Sequence, residues 1–149
     1  GIGPKFILLS RKLGYVTYNY VDGVVLPEFV ERCTDITELA KVLELCLRKA
    51  RKLDVLGVNK EEMHRPVKHI WVGKDVKFID FERCHKSDKP KNVTQLCHFL
   101  FVGDNPCAKK VRDVFHIEKA DALEAAKQYR TRGLELVLSL LDPNHVPKC

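Results

Sequence analysis

The stretch VKFIDFERC, residues 76–84, sets an aspartate, Asp80, at the end of a short apolar run. Val76 to Asp80 reads as a β-strand, and HIWVG, residues 69–73, reads as another just before it. Gly73, Lys74 and Asp75 between them have the length and composition of a tight hairpin turn. Taken alone, the tetrapeptide IDFE describes only an exposed acidic residue in a turn. The meaning of Asp80 therefore rests on what flanks it.

Upstream, residues 58–68 lose all periodicity and crowd polar, charged and proline residues together, which predicts an ordered loop. Before that loop, Ile36, Leu39, Ala40, Leu43, Cys46, Leu47, Ala50 and Leu53 recur at helical spacing. Asp35 followed by Glu38 offers a capping box at the start, and Gly57 is placed to end a helix of roughly twenty residues. Val42 and Leu45 add apolar positions that predict burial on more than one side. The basic cluster Arg48-Lys49 with Arg51-Lys52 is expected on the solvated face. The chain opens with KFILLSRKL and GYVTYNYV, two strands expected to form a hairpin before the turn signal Asp22-Gly23. Pro27 then starts a short helical segment, PEFVER, since proline is tolerated in a first turn.

Downstream, the charged turn HKSDKPK leads to Asn92, expected to cap a helix through Phe101 with Gln95 completing the box. Gly103-Asp104-Asn105-Pro106 ends it, and further helices are expected from Asn105-Pro106, over Glu118 to Arg130, and from Leu134 to Leu141. No internal repeat or interdomain linker interrupts the pattern, so one domain is expected.

The charge is +6, from 26 Lys and Arg against 20 acidic residues, and it favours anionic partners: nucleotides, acidic protein surfaces or, more weakly, nucleic acid. The most hydrophobic stretch, LELVLSLL, is broken by Glu135 and Ser139 and is too short for the roughly 20 residues of a membrane span. With no secretion signal, the cytoplasm is the expected compartment. The chain begins Gly1-Ile2-Gly3-Pro4, which suggests a piece of a longer protein with a partner segment upstream. Six cysteines, at 33, 46, 84, 97, 107 and 149, contain no CxxC pair and are expected to be reduced. The pairs Cys84-His85 and Cys97-His98 are zinc-ligating residue types, but neighbours in sequence diverge on a strand or a helix and all four would hardly converge on one ion.

The order is thus hairpin, long buried helix, irregular polar loop, short hairpin ending in Asp-Phe, then a helical tail. With IGPKFI, YVTYNYVDG, LDVLGVNKEEMHRPVKHIWV, VKFIDFERC and KPKNVTQL in that sequence, the chain to about Phe101 resembles the C-terminal lobe of the protein-kinase-like fold. In detail it is similar to a family of predicted archaeal serine/threonine protein kinases related to the RIO and lipopolysaccharide kinases. The resemblance implies an α+β fold, mainly helical with two short β-hairpins. Residues 1–25 would form hinge-region strands, and residues 26–149 a helical lobe with a catalytic-type loop. The N-terminal lobe is absent from the chain.

The resemblance also implies a site. Asp80 would be the ligand of a magnesium ion that bridges the phosphates of ATP. Glu82 stands where the common kinase triplet has glycine, which bears on regulation. The loop holds no HRD or HGD triplet; it reads Lys60-Glu61-Glu62, which makes Glu62 the candidate for the catalytic position, where a carboxylate would accept the substrate hydroxyl's proton or orient the hydroxyl. His69 stands where most kinases have a metal-binding asparagine and is the second candidate metal ligand. Arg65, with Lys68, would pair with phosphate or with Glu62. Asn19 and Val21 would meet adenine through their backbone groups. No GxGxxG motif is present, nor the strand lysine of a complete kinase. The expected function is an ATP- and magnesium-dependent phosphotransferase acting on a protein hydroxyl, inactive as an isolated lobe. The alternative is a non-catalytic kinase-like scaffold that recruits an anionic partner.

Overall fold

In the computed structural model the described residues are 1–142, so Cys149 lies outside them. The long helical pattern forms as its spacing requires. Helix α2 runs Ile36–Val55, and the Asp35 carboxylate accepts from the backbone N–H groups of Thr37 at 2.8 Å and Glu38 at 3.1 Å. Leu56 and Gly57, the latter at φ 66°, turn the chain out of the helix. Its apolar stripe is buried from Leu39 to Leu53. Of the two added apolar positions, Val42 is partly buried against the core, whereas Leu45 is 41% exposed. Lys49 departs from expectation in the opposite sense. It falls three residues after Cys46 and four before Leu53, on the buried stripe, and is only 7% exposed. Its ammonium donates to the Gly1 carbonyl at 2.9 Å and to Asp75 at 3.1 Å.

The opening segments form the predicted hairpin, β1 (Phe6–Ser10) with β2 (Tyr15–Tyr18). Strands β5 (Ile70–Val72) and β6 (Val76–Phe78) form the second, with Val72 opposite Val76 across the three-residue turn. Two further pairings were not legible. Strand β3 (Val24–Val25) adds to the outer edge of β5, and β4 (Val58–Asn59) pairs with β7 (His85–Lys86). All pairings among the described residues are antiparallel, and the fold is mixed helix and sheet, α+β as expected. Helix α1 (Leu26–Arg32) carries Pro27 in its first turn. The tail is α4 (Pro106–Phe115), α5 (Lys119–Arg132) and the short α6 (Glu135–Leu138) with a 3-10 turn to Leu141. No helix among the described residues is long and apolar enough to cross a membrane.

Asn92 does not cap a helix as expected. It is the first residue of α3 (Asn92–Cys97), which passes into a π-helical turn over His98–Val102. The cap comes instead from across the fold. Asp54, near the end of α2, accepts from the backbone N–H of Asn92 at 3.0 Å and of Val93 at 3.3 Å. The Asn92 side chain, fully buried, is thereby free to tie three segments. It donates to Asp54 at 2.7 Å and to the Val58 carbonyl at 2.7 Å, and accepts from the Lys60 N–H at 2.8 Å. Tyr129 of α5 completes the knot by donating its hydroxyl to Asp54 at 2.9 Å. Burial and that carboxylate push its phenol up to about 12.

Buried polar groups left without partners are costly. Asn92→Ala would orphan the Lys60 N–H and the Val58 carbonyl together and is expected to lower stability by roughly 3 kcal/mol. Urea unfolding would show this as a lower midpoint at unchanged slope.

Candidate functional site

The open end of the β5–β6 hairpin carries the candidate residues. Beyond the last paired residues, the Ile79 N–H donates to the His69 carbonyl at 2.9 Å. This extends the ladder by one step and sets His69 and Asp80 side by side. Asp80 then adopts φ 61°, in the left-handed region. Aspartate tolerates that region better than most residues, but a non-glycine residue there still costs about 1–2 kcal/mol.

Lys60 supplies the compensating contact. It is fully buried, and its ammonium donates to the Asp80 carbonyl and, at 3.0 Å, to the Glu62 carboxylate. The same ammonium lies 5.0 Å from the centre of the Phe81 ring. A buried cation requires this degree of pairing. Phe81 is backed in turn by Gly3, where a Cβ would stand 3.0 Å from the ring and 3.3 Å from the Phe78 carbonyl. The chain's first residues thus close over the site, with the Ile2 carbonyl accepting from the Phe78 N–H at 3.0 Å.

Glu62 lies on a 3-10 turn, Glu61–His64, and is 9% exposed. Burial opposes its ionisation, but the hydrogen bond from Lys60, a backbone N–H and the nearby Lys60 and His69 outweigh it and hold its pKa below the usual glutamate value. Arg83 lies 3.8 Å from its other oxygen. The Asp80 carboxylate is by contrast 43% exposed and faces the His69 Nδ1 at 3.6 Å, beyond hydrogen-bonding distance. That Nδ1 is buried and has no hydrogen-bond partner among the described residues.

His69 and Asp80 therefore lie side by side at one end of the small sheet, and Lys60 links Glu62 to the Asp80 backbone. Arg65 does not join them. It follows the 3-10 turn, is exposed, and lines a separate groove of about 780 Å³ with Val30, His64, Val67, Phe99 and Lys110. Lys60 and Arg83, not Arg65 or Lys68, pair with the Glu62 carboxylate.

Asn19 and Val21 sit at the foot of the first hairpin. The Asn19 N–H donates to the Lys5 carbonyl at 2.9 Å. The Val21 backbone N–H and carbonyl are unpaired among the described residues. Asp22-Gly23 then presses on Val72-Gly73. A Cβ on Gly23, at φ 125°, would stand 2.2 Å from the Val72 carbonyl oxygen, and one on Gly73 2.4 Å from that of Asp22. This contact places Val21 near the turn end of the β5–β6 hairpin, whereas Asp80 lies at its open end.

Among the described residues, no three His, Cys, Asp or Glu side chains are gathered to hold a metal ion, and this covers both Cys-His pairs. The five described cysteines are free thiols. Lys60, the residue on which the site is built, was within the loop triplet but was not singled out. Three charged residues in a row carry no signal of which one is buried.

Removing the ammonium tests this account. In Lys60→Met, Glu62 remains buried without its main cation, and its pKa is expected to rise from below to above the usual glutamate value of 4.5. In the wild type the depressed value makes Glu62 stabilising above about 4.5, and that contribution is lost as pH falls through its lowered pKa. Side-chain carbon NMR of labelled glutamate reads both directions, and an unmoved Glu62 titration in the variant contradicts the arrangement.

No protein-family model matches the chain. The uncharacterized protein MJ1211 of Methanocaldococcus jannaschii is 31% identical over 115 residues, a match that takes in 75% of this chain and 97% of that relative. By that likeness, the chain belongs to the same family as this archaeal protein.

Proposed function

We propose that the chain is the helical lobe of an ATP- and magnesium-dependent phosphotransferase of the serine/threonine protein kinase type, working with an N-terminal lobe not contained in these residues. The observation that carries this reading is Asp80: an exposed carboxylate at a strand end, in a left-handed conformation held by a buried lysine. Strain of this kind persists where surrounding structure over-determines it, and it concentrates at functional positions.

The donor set fits magnesium in one respect and not in another. Magnesium is commonly held by one or two carboxylates together with substrate phosphates and water, so the 43% exposed Asp80 carboxylate suits it without a dedicated cage. His69 suits it less, because magnesium prefers oxygen to an imidazole nitrogen. When bound, the ion would neutralise charge on the transferring phosphoryl group. The chain's own part is to aim Asp80 and to keep Glu62 ionised beside it.

The adenine end is supported by Val21, whose free N–H and carbonyl offer a donor and an acceptor to a base edge. The Asn19 N–H is already used, which leaves its carbonyl for that role. Val21 stands beside Val72-Gly73 at the turn end, and Asp80 lies four residues along from Val76, an offset of roughly 13 Å in the strand direction. An extended nucleotide laid along the sheet would have its base and its phosphates at opposite ends. A protein hydroxyl as acceptor and a cytoplasmic setting, where magnesium nucleotide is abundant, belong to the same reading.

A second reading is favoured by Glu62. Lys60 hydrogen-bonds one of its oxygens and the Arg83 cation stands 3.8 Å from the other, so it is less free to accept a proton than a general base would be. On that reading the fold is a non-catalytic module that binds a nucleotide or another anionic partner through its basic surface.

Calorimetric titration with a non-hydrolysable ATP analogue separates the cases. With magnesium present, Asp80→Asn is expected to weaken binding about tenfold, and in chelator the variant and wild type should match. Equal affinities with magnesium would remove Asp80 as the metal ligand. Phosphoryl transfer by the protein complemented with its N-terminal lobe, abolished by Glu62→Gln, would separate the enzyme from the binding module.

A further inference from the structure

Hairpin β1–β2 has one wholly apolar face. Its register pairs Leu9 with Val16 and Phe6 with Tyr18 on one side, and Leu8 with Thr17 and Ser10 with Tyr15 on the other; Ile7 is the extra residue of a bulge. The Phe6 and Tyr18 rings meet edge to face at 6.1 Å, which confirms that they share a side. The opposite side is mixed: it carries the hydroxyls of Ser10 and Thr17 beside Leu8 and Tyr15, which are 49% and 46% exposed.

Among the described residues the apolar face is not covered. Phe6 is 53% exposed, Leu9 49%, Val16 44% and Tyr18 49%. A two-stranded ribbon is marginal in water without a packed face, so this hairpin calls for an occupant. We infer that a second copy of this chain packs on it, with the two apolar faces stacked about a two-fold axis.

Three features select a second copy. The face is self-complementary: rings lie at one end and aliphatic side chains at the other, so a two-fold operation sets Phe6 and Tyr18 of one copy against Leu9 and Val16 of the next. No charged residue lies within either strand; the cations Lys5, Arg11 and Lys12 stand just outside them, so two copies can meet without placing like charges on the stacked faces. The four side chains leave on the order of 400 Å² per copy in water, and a pair would bury on the order of 800 Å², the scale of weak, reversible association. The inference does not rest on the nucleotide reading.

Sedimentation velocity on the whole chain over a dilution series tests it. The wild type is expected to pass from dimer to monomer on dilution. Val16→Lys, on the apolar face, should be monomeric throughout, whereas Thr17→Lys, directly beside it on the other face, should still dimerise. Amide NMR shifts on dilution should concentrate at Phe6, Leu9, Val16 and Tyr18, a readout that needs no variant to fold. Asp80→Asn, which acts on the nucleotide site, should leave the dimer unchanged. A wild type that is monomeric at every concentration, so that the face serves some other molecule, overturns the inference. So does an equal effect of the two lysine substitutions.

Discussion

A lysine ammonium sealed from water is tolerable only if its surroundings replace the water it has lost. Lys60 meets that condition with the Glu62 carboxylate, the Asp80 carbonyl and the face of Phe81. Each of those groups is constrained in return. Glu62 stays ionised despite its burial, Asp80 is held in the left-handed region, and the chain after the hairpin is turned so that the Asp80 carboxylate points outward. One cation therefore couples the polar loop to the strand end.

The ammonium can be placed there only because the backbone that carries it is fixed. Asn92 binds the Lys60 N–H, Asp54 binds Asn92 and the first turn of α3, and Tyr129 binds Asp54. The end of α2, the loop, the start of α3 and α5 thus meet at one polar knot inside an otherwise apolar core. Local order around Asp80 depends in this way on residues distant in sequence.

That dependence explains what could and could not be read from the chain. The long helix with its Asp35 cap, both hairpins and the starts of α1 and α4 follow from spacing, proline and glycine, all of which act locally. Strands β3, β4 and β7 are two residues long and exist only because a partner from elsewhere reaches them. Asn92 looked like a helix cap because the residue type suits one, yet tertiary bonds took its side chain elsewhere. Lys49 was assigned to the solvated face by charge, and its position on the apolar stripe prevailed because Asp75 and a carbonyl were at hand. In the site, His69 lies beside Asp80 and Glu62 reaches the Asp80 backbone through Lys60, whereas Arg65 turns to the other side of the same loop. Sequence spacing does not resolve the direction of a side chain in an irregular segment.

The central claim is that the strand end at Asp80 is where this protein meets a metal–nucleotide complex. Paramagnetic relaxation answers it at residue resolution, with manganese in place of magnesium and ATP added to the isotope-labelled chain. The account predicts that amide signals of His69, Ile70 and residues 79–82 broaden first and most, with those near Val21 affected less. Broadening centred on another surface, or spread evenly over the acidic residues, would contradict it.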